Sequence, residues 1–243
     1  MADKEDYLRK FEAVVKLTAA ADAPLPSFDA APPTVPYDVE FAALRFRVEP
    51  GVFAPFNPNA ASIVDTLIEA TRNTAQPLVL DVGTGTGALA IAYALRRPDA
   101  FVCAVDTSAP SVVCARNNAS RLGADNVRVL RGSLLEPIGA SHKQINAIVA
   151  NLPWVAPAVA EAVNISGTNA WRGPHEAVVG KGRDGLDLLR DLIAQSAGLL
   201  ARDAVMMFAM DAWQTRIFEE EYQSKFSMQR MEDTHYVILR AGA

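Results

Sequence analysis

Between Leu78 and Ala88 the chain passes from the apolar run Leu78-Val79-Leu80-Asp81-Val82, through Gly83-Thr84-Gly85-Thr86-Gly87, into the helix-forming stretch Ala88 to Arg96. No other segment restricts the fold as strongly. An apolar run of this length suits a strand buried on both faces. A glycine at every second position lets the backbone turn sharply and enter a helix with its amides open to a ligand. From Pro77 onward the pattern repeats. Short apolar runs at Leu78 to Val82, Phe101 to Val105, Val127 to Leu130, Ile145 to Ala150, Ala204 to Met210 and Tyr236 to Arg240 alternate with helical segments at Ala88 to Arg96, Ala109 to Leu122 and Gly185 to Leu200. This alternation predicts an α/β fold, a Rossmann-like, doubly wound and mostly parallel sheet covered on both faces.

The region before Pro77 reads differently. Apolar residues at helical spacing predict a helix from Asp3 to about Ala21, followed by a proline-rich arm over Pro24 to Pro36. Loose alternation between Glu40 and Phe56 predicts a hairpin turning at Glu49-Pro50-Gly51, and Ala60 to Thr71 resumes a helical pattern. The expected division is therefore residues 1–58 as helix, arm and hairpin, and residues 59–243 as the main domain. The long stretch from Leu152 to Arg183, rich in Gly, Asn and Pro, reads as a loop at a site rim.

Composition narrows the class. Half of the 243 residues are hydrophobic, enough for a full core, and 23 Lys and Arg against 28 Asp and Glu leave a net charge of −5. Such a chain has no global basic field to draw in nucleic acid. Cys103 and Cys114 are too few for a disulfide framework and fall in a strand and a helix, where reduced, buried thiols are expected. The opening MADKEDYLRKFEAVVK lacks the basic and apolar regions of a signal peptide, and no run approaches the ~20 apolar residues of a membrane span. A cytoplasmic location is expected, so the glycosylation triplets at Asn118 and Asn164 read as chance. His142, His175 and His235 lack metal-ligand spacing, and no metal is expected.

The glycine turn together with Asp106, which closes the second strand where a carboxylate can bind the two hydroxyls of a ribose, points to a nucleotide-like cofactor. The same letters fit the looser dinucleotide pattern G-x-G-x-x-A, and the glycines could also form an ordinary tight turn. Asp81 separates the ligands. A carboxylate two residues before the first glycine would repel a pyrophosphate and attract a cationic amino acid end. Asp81 to Gly87 resembles the first motif of class I S-adenosylmethionine-dependent methyltransferases, whose cofactor carries an ammonium and a sulfonium. The resemblance implies cofactor contacts from Asp81, Gly83, Thr84, Gly85, Gly87, Asp106, Thr107, Ser133 and Asn151, with Ser133 standing where the family often has an Asp that meets the adenine amino group.

The run Ile145 to Ala150 ends in Asn151-Leu152-Pro153-Trp154. Strand tips on this side of an α/β sheet face one crevice, so this tetrapeptide and the glycine turn are expected together. It resembles the (Asn/Asp)-Pro-Pro-(Tyr/Phe/Trp) motif of methyltransferases that modify planar nitrogens, with Leu152 replacing the first proline. Such a nitrogen is a poor nucleophile because its lone pair is delocalised. The Asn151 side-chain oxygen and the Leu152 carbonyl could accept both hydrogens of an NH2 group and aim the nitrogen, Trp154 could stack on the planar group, and Pro153 could stiffen the loop. These four residues are the catalytic candidates. An Asn-initiated turn with a core tryptophan remains the plainer alternative.

The likeness extends to the HemK/PrmC family of protein N5-glutamine methyltransferases. Glu40 to Pro55 is similar to the hairpin that precedes that family's catalytic domain. Gly180-Lys181-Gly182-Arg183-Asp184-Gly185-Leu186, with Glu176-Ala177 upstream, is similar to its Glu-Pro…Gly-Gly-x-Asp-Gly-Leu segment. The chain departs where the family has Arg-Pro-Glu-Thr-Glu, carrying Phe56-Asn57-Pro58-Asn59-Ala60 instead, and its N-terminal helical part is shorter than the family's. The resemblance implies a methyltransferase of class I type acting on a planar amide or amino nitrogen, with protein glutamine as the leading acceptor.

Other acceptors stay open: a small molecule, or adenine N6 or guanine N2 in a nucleic acid, the latter disfavoured by acidic charge unless Arg45, Arg47, Arg172 and Arg183 cluster at the cleft mouth. A nicotinamide-dependent oxidoreductase and a non-catalytic binding module are the readings of a different class. The long-loop residues His175 and Trp171 could touch substrate, while Trp213 is expected to pack. No membrane contact is expected, and the oligomeric state is open.

Overall fold

The computed structural model describes residues 34–55, 60–139, 144–162, 174–231 and 236–241. The helix expected at Asp3 to Ala21, the proline-rich arm as far as Pro33, Phe56 to Asn59, His142, Asn164, Trp171, Arg172 and His235 lie outside the described residues. The described elements run in the order β1 (Tyr37–Phe41), β2 (Leu44–Val48), α1 (Ala60–Thr71), β3 (Leu78–Val82), α2 (Ala88–Arg96), β4 (Phe101–Asp106), α3 (Ala109–Leu122) and β5 (Val127–Arg131). They continue with β6 (Ile145–Ala150), α4 (Pro157–Ala162), a 3-10 turn (His175–Ala177), α5 (Asp187–Ser196), β7 (Leu200–Ala209), α6 (Ala212–Tyr222), β8 (Phe226–Arg230) and β9 (Tyr236–Ala241).

Seven strands form one sheet in the order β5-β4-β3-β6-β7-β9-β8. The five from β5 to β7 are parallel, β9 runs antiparallel to β7, and β8 runs antiparallel to β9. Alternation along β3 explains the two-sided core. Leu80 and Val82 face one layer with Leu189, Leu192 and Phe218, whereas Val79 faces the other with residues of α1, α2 and α3. Successive strand side chains point to opposite faces, so a run apolar at both parities must be covered twice. The sheet reverses its winding beside β3, which lies between β4 and β6, and the crevice of such a sheet opens at the carboxyl ends of the strands around that point.

Three boundaries differ from expectation. The hairpin of β1 and β2 turns at Ala42-Ala43, both at positive φ, instead of at Glu49-Pro50-Gly51. Pro50 and Gly51 do form a turn, closed by the Val52 amide on the Glu49 carbonyl, but it is the corner by which the chain leaves the hairpin. Pro at the second position and a positive-φ Gly at the third suit that corner. The helix expected over Gly185 to Leu200 is shorter, because Gly198 at φ +77° redirects the backbone into β7 four residues before Ala204. Finally, β8 was not foreseen. It is a half-exposed edge strand whose apolar face is only Phe226 and Met228, and it follows a charged helix without a strong turn signal.

The hairpin is fastened to α3 by Asn118, which is fully buried. Its side-chain oxygen accepts from the Arg47 amide at 2.9 Å, and its NH2 donates to the carbonyls of Arg47 (2.8 Å) and Thr86 (2.9 Å). A single amide thus ties hairpin, helix and glycine turn together, and the glycosylation triplet that contains it is inaccessible. Cys103 and Cys114 are both buried free thiols. Among the described residues, no helix is long and apolar enough to cross a membrane.

Candidate functional site

The glycine turn begins where β3 ends. Gly83 and Thr84 both donate to the Val105 carbonyl at the end of β4 (2.8 and 3.0 Å), and Gly87 donates back to Thr84 (2.8 Å). Gly83, Gly85 and Gly87 have φ of +77°, +55° and +82°. Glycine is needed for two separate reasons. At Gly87, a Cβ would lie 2.9 Å from Ile91 Cδ1 and 3.2 Å from Ala115 Cβ, so the missing methyl permits close packing of α2 on α3. At Gly85, the nearest atom to such a Cβ is the Phe53 carbonyl at 3.7 Å. That is an ordinary van der Waals distance, so at Gly85 the backbone conformation alone calls for glycine.

Two carboxylates serve the turn. Asp81 is 2% exposed, and its Oδ2 accepts from the Thr84 hydroxyl (2.7 Å) and the Ala90 amide (3.1 Å). Burial raises its pKa to about 6, against the lowering effect of those hydrogen bonds, and the nearby Asp106 charge pushes in the same direction as burial. Asp81 is therefore a brace beneath the turn, a part its sequence position did not reveal. Asp106 stands at the tip of β4, half-buried, with Oδ2 accepting from the Gly85 amide (2.9 Å) and Oδ1 from the Ser108 amide (2.8 Å). Burial raises its pKa as well. The Thr107 amide also bonds this carboxylate, which lowers its pKa against the effect of burial. Thr107 is exposed beside it, and Ser133 begins the turn after β5, where its carbonyl accepts from the Glu136 amide.

The acceptor tetrapeptide adjoins this turn. Val82 of β3 is paired with Ala150 of β6, so Gly83 and Asn151 leave the sheet as neighbours. A Cβ on Gly83 would lie 2.9 Å from Leu152 Cδ2 and 3.8 Å from the Asn151 carbonyl oxygen. Leu152, buried in the layer with Leu80 and Val82, thus lays its side chain against the glycine that opens the turn. Asn151 is exposed, and among the described residues its side chain makes no hydrogen bond to the protein. Trp154 is 8% exposed and packs in the opposite layer. The expected neighbours Asp81, Gly83, Gly85, Asp106 and Asn151 all stand at this one end of the sheet.

A second segment closes over the loop from outside. Val155 donates to the Val178 carbonyl and Gly180 donates to the Val155 carbonyl, forming a short parallel bridge between Val155 and Val179. A Cβ on Gly180 would meet the Pro153 carbonyl at 2.8 Å, and one on Gly185 would run into the Trp154 carbonyl. The two glycines let one backbone lie directly on the other. Arg190 of α5 then pins Asp184, holding it through both terminal nitrogens, and reaches Glu221 of α6. That pairing holds the Asp184 carboxyl below its usual range and raises the guanidinium. Gln214 of α6, fully buried, donates to the Trp154 carbonyl at 2.7 Å and to the Asp184 carbonyl. Sequence reading missed Gln214, since nothing local marks it. His175, Lys181 and Arg183 are exposed, and Trp213 is half-buried.

Comparison with known proteins agrees with this geometry. A family described as methyltransferase small domain matches residues 43–166. The chain is 33% identical over 172 residues to a release factor glutamine methyltransferase of Gloeobacter violaceus, covering 70% of this chain and 58% of that protein. A namesake in Deinococcus radiodurans is 32% identical over 174 residues, covering 72% and 59%. The chain thus spans about three fifths of the length of these relatives. Among solved structures, a ribosomal protein L11 methylase from Lactobacillus delbrueckii superposes with a TM-score of 0.53 at 24% identity, covering 80% of this chain and 83% of that one. TrmN from Thermus thermophilus gives 0.52 at 16% identity, covering 74% and 48%.

Proposed function

Since the chain belongs to the methyltransferase small-domain family, we propose that it transfers a methyl group from S-adenosylmethionine to a planar amide nitrogen, with a protein glutamine side chain as acceptor. The carrying observation is the Val82–Ala150 pairing, from which Gly83 and Asn151 emerge side by side. S-adenosylmethionine, when bound, supplies an electrophilic methyl group on a positively charged sulfur. The chain fits such a group. A ligand can approach the Gly85 backbone with no side chain in the way, Asp106 stands at the tip of β4 where its carboxylate can meet a ribose hydroxyl, and the Asp81 charge lies beneath the turn as a counterweight to a cationic amino acid end.

Asn151 then holds the acceptor. Its side-chain oxygen takes one hydrogen of the NH2 group and the Leu152 carbonyl the other, which keeps the nitrogen lone pair turned toward the turn. As the nitrogen gains the methyl group the carbon–sulfur bond breaks to leave the neutral thioether, and the proton that the nitrogen loses passes by the Asn151 oxygen at the exposed side of the loop to solvent. Positioning supplies the acceleration, without a strong base. Of the possible acceptors, glutamine is favoured by the likeness to release factor glutamine methyltransferases, and by segment 180–186, which resembles a segment of that family and packs directly on the loop. The test is transfer of labelled methyl groups from S-adenosylmethionine into a purified bacterial release factor, with the product digested to locate the label. Label on one glutamine is expected. Label confined to nucleic acid or small molecules, when a cell extract is offered alongside, would overturn the glutamine reading.

A further inference from the structure

Gln214 is a fully buried polar side chain with hydrogen bonds to three separate backbone groups, and nothing in the transfer chemistry accounts for it. It sits in the first turn of α6, beyond β7, some 60 positions from the tetrapeptide it touches. Both of its donors and its acceptor oxygen are engaged. The NH2 group donates to the Trp154 carbonyl and to the Asp184 carbonyl, and the side-chain oxygen accepts from the Asp211 amide at 2.8 Å. At 0% exposure, no water can replace these partners.

Its position matters as much as its bonds. The Trp154 carbonyl is where the acceptor tetrapeptide ends, and the Asp184 carbonyl belongs to the segment laid over it. Those two backbones come into close contact at Gly180 and Gly185, beside the hydrogen bonds of the Val155–Val179 bridge. One NH2 group therefore joins both layers of the clamp. The side-chain oxygen fixes the same group to the start of α6, whose other end is tied by Glu221 to Arg190 and so to Asp184 again. From this we infer that Gln214 is a positioning residue, which sets the height of the Asn151–Trp154 loop above the glycine turn by gripping Trp154 and Asp184 at once. The inference rests on the reading of that loop as the acceptor site.

Gln214→Glu keeps the size and the oxygen that caps α6 but removes both donors to the loop. Gln214→Met removes all three bonds at similar volume. Two measurements on the full chain separate loop positioning from general stability. Without ligands, amide hydrogen exchange followed by mass spectrometry is expected to rise at least tenfold in 151–156 and 178–186 in both variants, with 81–90 unchanged. With release factor as acceptor, its KM is expected to rise at least tenfold, while the Kd for S-adenosylmethionine stays within twofold of the parent. Unchanged exchange in 151–156, an unchanged acceptor KM, or parallel loss of cofactor affinity would overturn the role. So would loss of cooperative melting in both variants, which would assign Gln214 to the sheet as a whole. The exchange measurement needs no acceptor. A parent protein that ignores release factors would sink the acceptor reading, and the grip of Gln214 on the loop would still be decided by exchange.

Discussion

The glycine turn and the acceptor loop stand side by side at one end of the sheet, yet they are held in opposite ways. The turn is built mostly from its own neighbourhood: Asp81 takes hydrogen bonds from Thr84 and Ala90, and Gly87 closes on Thr84. The loop borrows its support from afar, from Val178, Gly180, Gly185 and Gln214 on one side and from Gly83 on the other. A site whose halves are held independently can keep one binding function while the other is altered. Changes in the turn should therefore register first in folding, and changes in the loop first in turnover.

The sharpest way to break this division is Asn151→Ala. It is expected to lower turnover on the order of 1000-fold, about 4 kcal/mol of barrier, while calorimetry finds cofactor affinity unchanged. Affinity that falls with turnover would merge the two regions into one unit. Next comes Asp81→Asn. A carboxyl with a folded pKa of about 6, above its unfolded value near 4, binds more protons folded than unfolded, so stability falls as pH rises between those values and stays low above 6. The cost of the buried charge is about 3 kcal/mol at most. Without ligand, Asp81→Asn should melt above the parent at pH 8 and match it near pH 4, and it should bind S-adenosylmethionine less well at pH 8. A variant that melts below the parent at pH 8 would show that the carboxylate is a net support of the turn. The smallest effect is Gly87→Ala, which adds a methyl 3.2 Å from Ala115 Cβ at φ +82°. About 2 kcal/mol should be lost in denaturant unfolding. Turnover of the protein that remains folded should be little changed.

The same division explains what could be read without coordinates. The strand–turn–helix unit around Gly83 is legible because its signals, the apolar run, the spaced glycines and the acid, are contiguous. Asn151 is legible as a strand tip, and its nearness to Gly83 follows from the crevice at the carboxyl ends of the strands, whereas the Val82–Ala150 register that makes them neighbours needs the coordinates. Asp81 is legible as a charge but not as a brace, since the Ala90 amide comes within reach only when α2 folds back under the turn. Gln214 is illegible: its partners lie 30 and 60 residues away, and a glutamine in the first turn of a helix reads as a capping residue. The hairpin misleads for a related reason. Pro50-Gly51 is the strongest local turn signal, whereas Ala42-Ala43 turn because Phe41 and Phe46 must meet edge to face, 6.1 Å apart, in the core beside α1 and α2. Edge strand β8 carries too few apolar residues to announce itself.

The position of β9 between β7 and β8 has a consequence for how the molecule comes into being. Strand β8 is made before β9 yet bonds to the sheet only through it. A nascent chain halted after Met231 would therefore leave β8 without its only strand partner, and β7 would end in an open edge where Tyr236, Val237 and Leu239 belong. The parallel strands that border the crevice can pair before residues 236–241 are made, so the site lies in the part of the sheet that needs no later segment, while the edge of β7 stays open until β9 arrives.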